Sequence, residues 1–222
     1  MPHVERRPGA VTGAMVEPAT ALSSVLEKAW QALTGLAPAW LRRIGRKLLI
    51  FEDRQNAIHE WRRARGGPPR LDASVGRVLV ICYGNICRSP FAAGLLARRL
   101  PSLEVRSAGL EARDGKAAEP NATRMASRHE IDLRAHTAHR MLADDVGWAD
   151  LIIAMEGYQC ARVRRRWPAG AAKTHLLGDF FDRGPFLIAD PYGHDDETFA
   201  ATFERIARGV ELLASRVEAR DR

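Results

Sequence analysis

Apolar and polar positions follow three successive patterns along the chain. Residues 1–20 mix Pro, Gly and Thr with scattered charge and show no apolar period, the composition of a disordered segment. From Leu22 to about Leu36, and again from Pro38 to about Arg65, apolar residues return at helical spacing. Trp40, Leu41, Ile44, Leu48 and Phe51 form one stripe, so residues 21–65 predict a helical hairpin broken at "GLAP", Gly35–Pro38. The run "RARGGPPRLD", Arg63–Asp72, has linker composition, which puts a boundary over residues 66–75.

From residue 76 onward, short β-branched runs alternate with helical ones. "RVLVIC", Arg77–Cys82, predicts a strand buried on both faces, and Leu103–Ala108, Ala149–Met155 and Lys173–Gly178 predict three more. Helical periods fall at Pro90–Arg99, Asn121–His129, Leu142–Val146, Tyr158–Trp167 and about Glu197–Val217. The last carries Phe199, Phe203, Ile206, Val210, Leu213 and Val217 on one face. This alternation predicts an α/β domain over 76–222, a four-stranded parallel sheet with helices on both faces, preceded by the N-terminal helical segment. Ligands of such sheets bind beyond the carboxyl ends of the strands, and Cys82 stands at one of those ends.

Composition narrows the setting. With 222 residues, 46% of them hydrophobic, the chain suits one packed domain with an appendage. No apolar run approaches the roughly 18 residues of a membrane helix, and the first residues lack the apolar core of a secretion signal, so a cytoplasmic location is expected. The three cysteines, Cys82, Cys87 and Cys160, are too few and too clustered for a disulfide framework, which fits a reducing compartment. No CxxC or HxxxH pairing suggests a metal site, and neither metal nor cofactor is expected. The net charge of +7 is uneven: residues 1–75 hold 12 Lys+Arg against 7 Asp+Glu, the remainder 22 against 20. That near balance argues against nucleic-acid binding by the α/β domain.

The candidate chemistry lies in "CYGNICRS". A loop running from a strand into a helix exposes backbone N–H groups and the positive end of the helix dipole, a receptor for a tetrahedral anion. Residues Tyr83, Gly84, Asn85, Ile86, Cys87, Arg88 and Ser89 would form it. Gly84 relaxes the backbone, Asn85 tolerates a left-handed conformation and ties the loop with its side chain, and Arg88 supplies a planar two-donor fork. A thiol in that field ionises readily, and Ser89 can donate to the thiolate. Such a thiolate beneath a phosphate is a nucleophile for phosphoryl transfer. A phenol leaves poorly unless protonated, which calls for a carboxylic acid at the loop mouth, and Asp190 before Pro191 is the candidate. Asp195, Asp196 and Glu197 read instead as the N-terminal acids of the last helix.

The motifs "ICYGNICRSP", "RSAG" (Arg106–Gly109), "IDLRAH" (Ile131–His136), "ADLIIAM" and "DPYG" (Asp190–Gly193) stand in one order. Through them residues 76–222 resemble the low-molecular-weight protein tyrosine phosphatases. The resemblance implies hydrolysis of phosphotyrosine on protein substrates through a phosphocysteine intermediate. It makes Cys82 the nucleophile, Arg88 the phosphate clamp, Asp190 the general acid, Ser89 the thiolate's partner and Asn85 the loop organiser, with His136 hydrogen-bonded near Asn85. Tyr192 is a candidate for the pocket entrance. Departures are local: Ala93 stands where the family often has Glu, His139 where it often has Arg, and the specificity-loop segment Gly109–Pro120 contains no aromatic residue.

Three rival readings share these residues. Arsenate reductase uses a similar loop but relays oxidation through further thiols, of which only Cys160 lies downstream. Protein arginine phosphatases typically have Thr where Ile86 stands. A catalytically inactive phosphate-loop binding module is the rival of another class. Cys87 is open to two readings, a reversible disulfide with Cys82 or a buried packing thiol. Residues 21–65 either dock on an anionic membrane or a partner, through the stripe beside Arg42, Arg43, Arg46 and Lys47, or pack on the domain as an extra layer; neither reading requires them for chemistry.

Overall fold

A computed structural model describes residues 50–71 and 75–219. The expected disordered segment 1–20, the first helix of the hairpin, its break at Gly35–Pro38 and most of the Trp40–Phe51 stripe lie outside the described residues.

The elements are helix α1 (Phe51–Gly66), strand β1 (Arg77–Cys82), α2 (Arg88–Arg99), β2 (Glu104–Gly109), α3 (Pro120–Arg128), α4 (Ala143–Trp148), β3 (Leu151–Ala154), α5 (Gly157–Arg166), β4 (Thr174–Leu176) and α6 (Asp196–Glu218). The four strands form one sheet in the order β2-β1-β3-β4, with every pair parallel. Alternate residues of the central strands feed two cores. Val78, Val80, Leu151 and Ile153 face Phe91, Leu96, Met125, Phe203 and Val210 of α2, α3 and α6. Leu79, Ile81 and Ile152 face Val146, Cys160 and Val163 of α4 and α5. A sheet buried on both sides is what continuous β-branched runs demand.

Several element ends differ from expectation by a residue or two. The largest shift at the site is α2, which begins at Arg88 rather than Pro90. Proline is tolerated there because the first turn of a helix has no intrahelical partner for its N–H groups. The expected fourth strand, Lys173–Gly178, pairs only over Thr174–Leu176, and Leu177–Phe180 turns into a short 3₁₀ helix that Asp179 closes by accepting from Leu176 N at 2.9 Å.

Helix α1 runs through Gly66, within a residue of the expected end near Arg65, and its last turn is tied down by Arg63, which is buried and donates to Asp179 O at 2.9 Å and Phe181 O at 2.8 Å. Gly67, with φ +72°, then takes the left-handed turn that ends a helix. The compact unit containing the sheet begins at Glu52, so residues 52–65 of the expected extension pack within it. Strand β1 lies between β2 and β3, so successive connections leave it in opposite directions and open a crevice above its carboxyl end. Cys82 sits at that end, opposite Gly109 of β2.

Candidate active site

The loop from Cys82 to Arg88 is folded by its own side chains and by the segment after β2. Asn85 adopts φ +53°, its Nδ2 donates to Ser89 Oγ and Ser107 Oγ at 2.9 Å each, and its Oδ1 accepts from His139 N at 2.9 Å. The loop carbonyls are engaged from outside. Tyr83 O accepts from Glu111 N at 2.9 Å, Asn85 O from His136 Nε2 at 2.7 Å, and Ile86 O from Glu119 N at 2.9 Å. Trans peptides point N–H opposite to C=O, so the N–H groups of Gly84, Ile86 and Cys87 turn toward the cleft those residues line. Gly109 permits this fold: a Cβ there would stand 2.8 Å from both Asn85 N and Tyr83 O.

Cys82 is 3% exposed at the floor of the cleft. Its Sγ accepts from Asn85 N at 3.3 Å and lies 3.0 Å from Ser89 Oγ. Asn85 Nδ2 already donates to that hydroxyl, whose own proton has two acceptors within reach, the sulfur and Ala108 O at 3.4 Å. No acidic residue occupies the first turn of α2 to compete for an incoming anion.

Arg88 is 1% exposed, and its Nη1 donates to Glu156 Oε2 at 2.7 Å and Ile188 O at 2.9 Å. Among the described residues its Nε and Nη2 satisfy no hydrogen bond. Nη2 nonetheless lies 2.6 Å from Asp190 Oδ2, an ionic contact without hydrogen-bond alignment. Burial works against the charged guanidinium, but Asp190, Cys82 and Glu156 outweigh it and hold the group above its ordinary pKa. Burial pushes the Glu156 carboxyl above its usual range while Arg88 pulls it back. One edge of the guanidinium is therefore anchored, and two donors on a cleft-lining residue are left for a planar pair of oxygens.

The cleft encloses about 290 Å³ and brings Cys82, Tyr83, Gly84, Ile86, Cys87, Arg88, Asp190 and Tyr192 together. Asp190 stands at its mouth, with a 40% exposed side chain whose Oδ1 accepts from Tyr192 N at 3.2 Å. Tyr83 and Tyr192, 45% and 57% exposed, are the aromatic lining. Asn85, Ser89 and His136 do not line the cleft; they support the loop from behind. At the departures noted in the sequence, His139 pairs with Asp145 at 2.9 Å and Ala93 is buried.

Sequence reasoning missed Glu156, which follows the quoted "ADLIIAM" by one residue, and Ser107, inside "RSAG". The signal for Glu156 was available, since an acid at the carboxyl end of a central parallel strand faces the ligand side. Glu111, Arg113 and Lys116, which complete the cleft rim, carried no such signal because the segment between β2 and α3 has no period.

The profile described as low molecular weight phosphotyrosine protein phosphatase matches residues 77–222. The probable low molecular weight protein-tyrosine-phosphatase EpsP of Ralstonia nicotianae is 39% identical over 142 residues, covering 64% of this chain and 96% of that protein. The crystal structure of the tyrosine phosphatase AmsI from Erwinia amylovora superposes with a TM-score of 0.61 at 34% identity, over 66% of this chain and 95% of that one. The arginine phosphatase YwlE from Geobacillus stearothermophilus superposes with a TM-score of 0.62 at 31% identity, over 65% of this chain and 94% of that one. A loop of this build, on a parallel sheet of this order, matched over the whole α/β domain, leaves one conclusion: the chain belongs to the low molecular weight phosphotyrosine protein phosphatase family.

Proposed function

We propose that Cys82, Arg88 and Asp190 carry out the family's reaction in this chain. The protein is a protein-tyrosine phosphatase, a phosphoric monoester hydrolase acting on phosphotyrosine-bearing proteins. The observation that carries the residue assignment is the Cys82 sulfur held by Asn85 N and Ser89 Oγ on the floor of a cleft where Arg88 Nε makes no hydrogen bond and Nη2 is met only by the ionic contact with Asp190. The phosphate enters over the sulfur and takes the Arg88 Nε and Nη2 donors together with the loop N–H groups. A dianion arriving beside an ionised Asp190 would meet like charge. A protonated Asp190 removes that repulsion and supplies the proton the leaving group needs.

The Cys82 thiolate attacks phosphorus, the bond from phosphorus to the aryl oxygen breaks, and the Asp190 proton passes to that oxygen. This leaves phosphocysteine and a free phenol. Asp190, now a carboxylate, takes a proton from the water that attacks phosphorus, and the S–P bond breaks to regenerate the thiolate and release inorganic phosphate. Arg88 and the loop dipoles balance the charge of both steps, so we assign no metal or cofactor a role.

The likeness to an arginine phosphatase makes phosphoarginine the second reading. Ile86 in the cleft wall, with Tyr83 and Tyr192 beside it, gives an apolar and aromatic lining that favours a flat aryl ester. The arsenate-reductase reading is not supported, because Cys160, the only downstream thiol, is fully buried in the core on the far side of the sheet. Burial pushes Cys160 up to about 12 and raises the Cys87 thiol as well, with Asp190 adding to the latter, which favours Cys87 as a packing thiol. We place the protein in the cytoplasm; among the described residues no helix is long and apolar enough to cross a membrane. We retain membrane or partner docking through residues 21–65 as part of the proposal, resting on the basic apolar stripe read from the sequence.

Asp190→Ala is expected to lower kcat on phenyl phosphate by about 10²–10⁴, the range of a positioned acid. Chelator leaves the rate unchanged and Cys82→Ser abolishes it; steady-state assays on phosphotyrosine peptides, with phosphoarginine peptides as the slower control, check all of this. Faster turnover of phosphoarginine would reverse the substrate assignment. Iodoacetate at neutral pH is expected to label Cys82, with phosphate protecting it, and to spare Cys87 and Cys160; peptide mapping that finds Cys87 labelled first contradicts the assignment. Co-sedimentation of the full chain with anionic vesicles, lost at high salt, checks the docking proposal, and equal recovery with neutral vesicles counts against it.

A further inference from the structure

Helix α1 lies ahead of residue 77, outside the stretch that matches the family, yet it reaches the machinery of the acid loop. Between the 3₁₀ turn that ends at Phe180 and the start of α6 at Asp196, the chain has no regular hydrogen-bonded structure, and Asp190 lies in that stretch. Such a segment needs partners for its backbone: Arg205 of α6 donates to Pro185 O and Leu187 O, and α1 supplies the acceptor for the neighbouring N–H groups. Glu60 Oε1 accepts from Phe186 N at 2.6 Å and from Leu187 N at 3.0 Å. Arg63, on the same face one turn later, donates to Asp179 O and Phe181 O and lies 4.5 Å from the centre of the Phe186 ring. The next residue, Ile188, donates to Met155 O at 2.8 Å and accepts from Arg88 Nη1 at 2.9 Å. Asp190 follows two residues on.

The contact is close. A Cβ on Gly157, at the start of α5, would stand 2.7 Å from His59 Cβ and 2.9 Å from Gln55 O, so α1 rests on that backbone. Asn56 Oδ1 accepts from Tyr158 N at 3.0 Å, and its Nδ2 reaches Glu156 Oε1 at 3.5 Å, on the carboxylate that anchors Arg88.

We propose that Glu60 is a positioning residue for the general acid: its carboxylate bridges the Phe186 and Leu187 N–H groups and so fixes where the chain delivers Asp190 over the cleft. The inference rests on Asp190 being the acid, and it goes beyond the family chemistry because α1 is not part of the matched domain. It also replaces the expectation that the N-terminal extension is dispensable for chemistry. Two charge-assisted bonds to one oxygen set the segment's height on α1, and a small displacement carried to Asp190 weakens proton transfer to the leaving group more than it weakens phosphate binding, which Arg88 and the loop supply.

The test compares kcat/KM for phenyl phosphate, which needs a proton donor, with that for p-nitrophenyl phosphate, whose leaving group needs one less. Glu60→Ala in the full chain is expected to reduce the first about tenfold more than the second, a fraction of the ~10²–10⁴ a positioned acid supplies. Vanadate inhibition is expected to stay unchanged, and Glu60→Gln, whose amide oxygen can still accept both N–H groups, to recover most of the loss. If Glu60→Ala does not fold, Glu60→Asp, retracted by one methylene, carries the same comparison. An equal loss on both substrates, or none, overturns the inference, because a merely structural helix lowers the active fraction without changing the ratio. Asp190→Ala run alongside separates the two failures. If it skews the ratio and the Glu60 variants do not, only the Glu60 role falls; if neither does, the acid assignment and this inference fall together.

Discussion

The site depends on one buried guanidinium. Arg88 is packed to 1% exposure, and a charge so placed is costly unless its environment answers it. Glu156 and the Ile188 carbonyl take one nitrogen, which fixes the plane of the group, while Nε and Nη2 make no hydrogen bond among the described residues and Nη2 is met only by the ionic contact with Asp190. An unmade hydrogen bond on a buried donor costs about 1–3 kcal/mol, more on a charged one, so this arrangement sets stability against readiness for a ligand. The neighbouring elements follow from that constraint. Strand β3 must end where Glu156 can reach inward, the 181–195 segment must pass close enough to present Ile188 O, and α2 must start at Arg88 itself.

The proposed chemistry sets the loop a second problem, that of holding the Cys82 sulfur and a phosphate in one small cavity. Backbone carbonyls would repel both, and three of them are drawn outward by Glu111 N, His136 and Glu119 N. Asn85 makes this possible by accepting a left-handed backbone and crosslinking Ser89, Ser107 and His139 N with one amide. The absence of a Cβ at Gly109 lets β2 approach the loop. Backbone direction and the Arg88 guanidinium thus act together on an anion in the proposed site.

Much of this was legible in the sequence, and the reasons are local. The β-branched run of β1, the spacing from Cys82 to Arg88, and the period of α6 each encode their element without help from distant residues. What was hidden depends on tertiary placement. Glu156 belongs to a different strand from Arg88, and Glu60 lies more than a hundred residues before the backbone it holds. Helix α1 was expected to end near Arg65, and it does, but its docking onto the domain was not legible, because the face that docks carries Asn56, His59, Glu60 and the buried Arg63, polar residues that an apolar period does not detect. A helix that docks through hydrogen bonds leaves little amphipathic signature. For the same reason the extension looked separable from the chemistry, although residues 52–65 lie within the catalytic unit.

The central claim is that the Nε and Nη2 donors of the anchored Arg88 fork, neither of which is hydrogen-bonded among the described residues, hold the phosphoryl group through their geometry rather than through positive charge alone. The most direct measurement is the vanadate inhibition constant of Arg88→Lys against that of the unaltered chain, with circular dichroism to confirm that both are folded. One ammonium keeps the charge but cannot offer two parallel, planar donors, so the constant is predicted to rise by at least about tenfold, the equivalent of one lost charge-assisted hydrogen bond. Equal constants would mean that Arg88 is a structural cation, and that the loop backbone alone binds the anion.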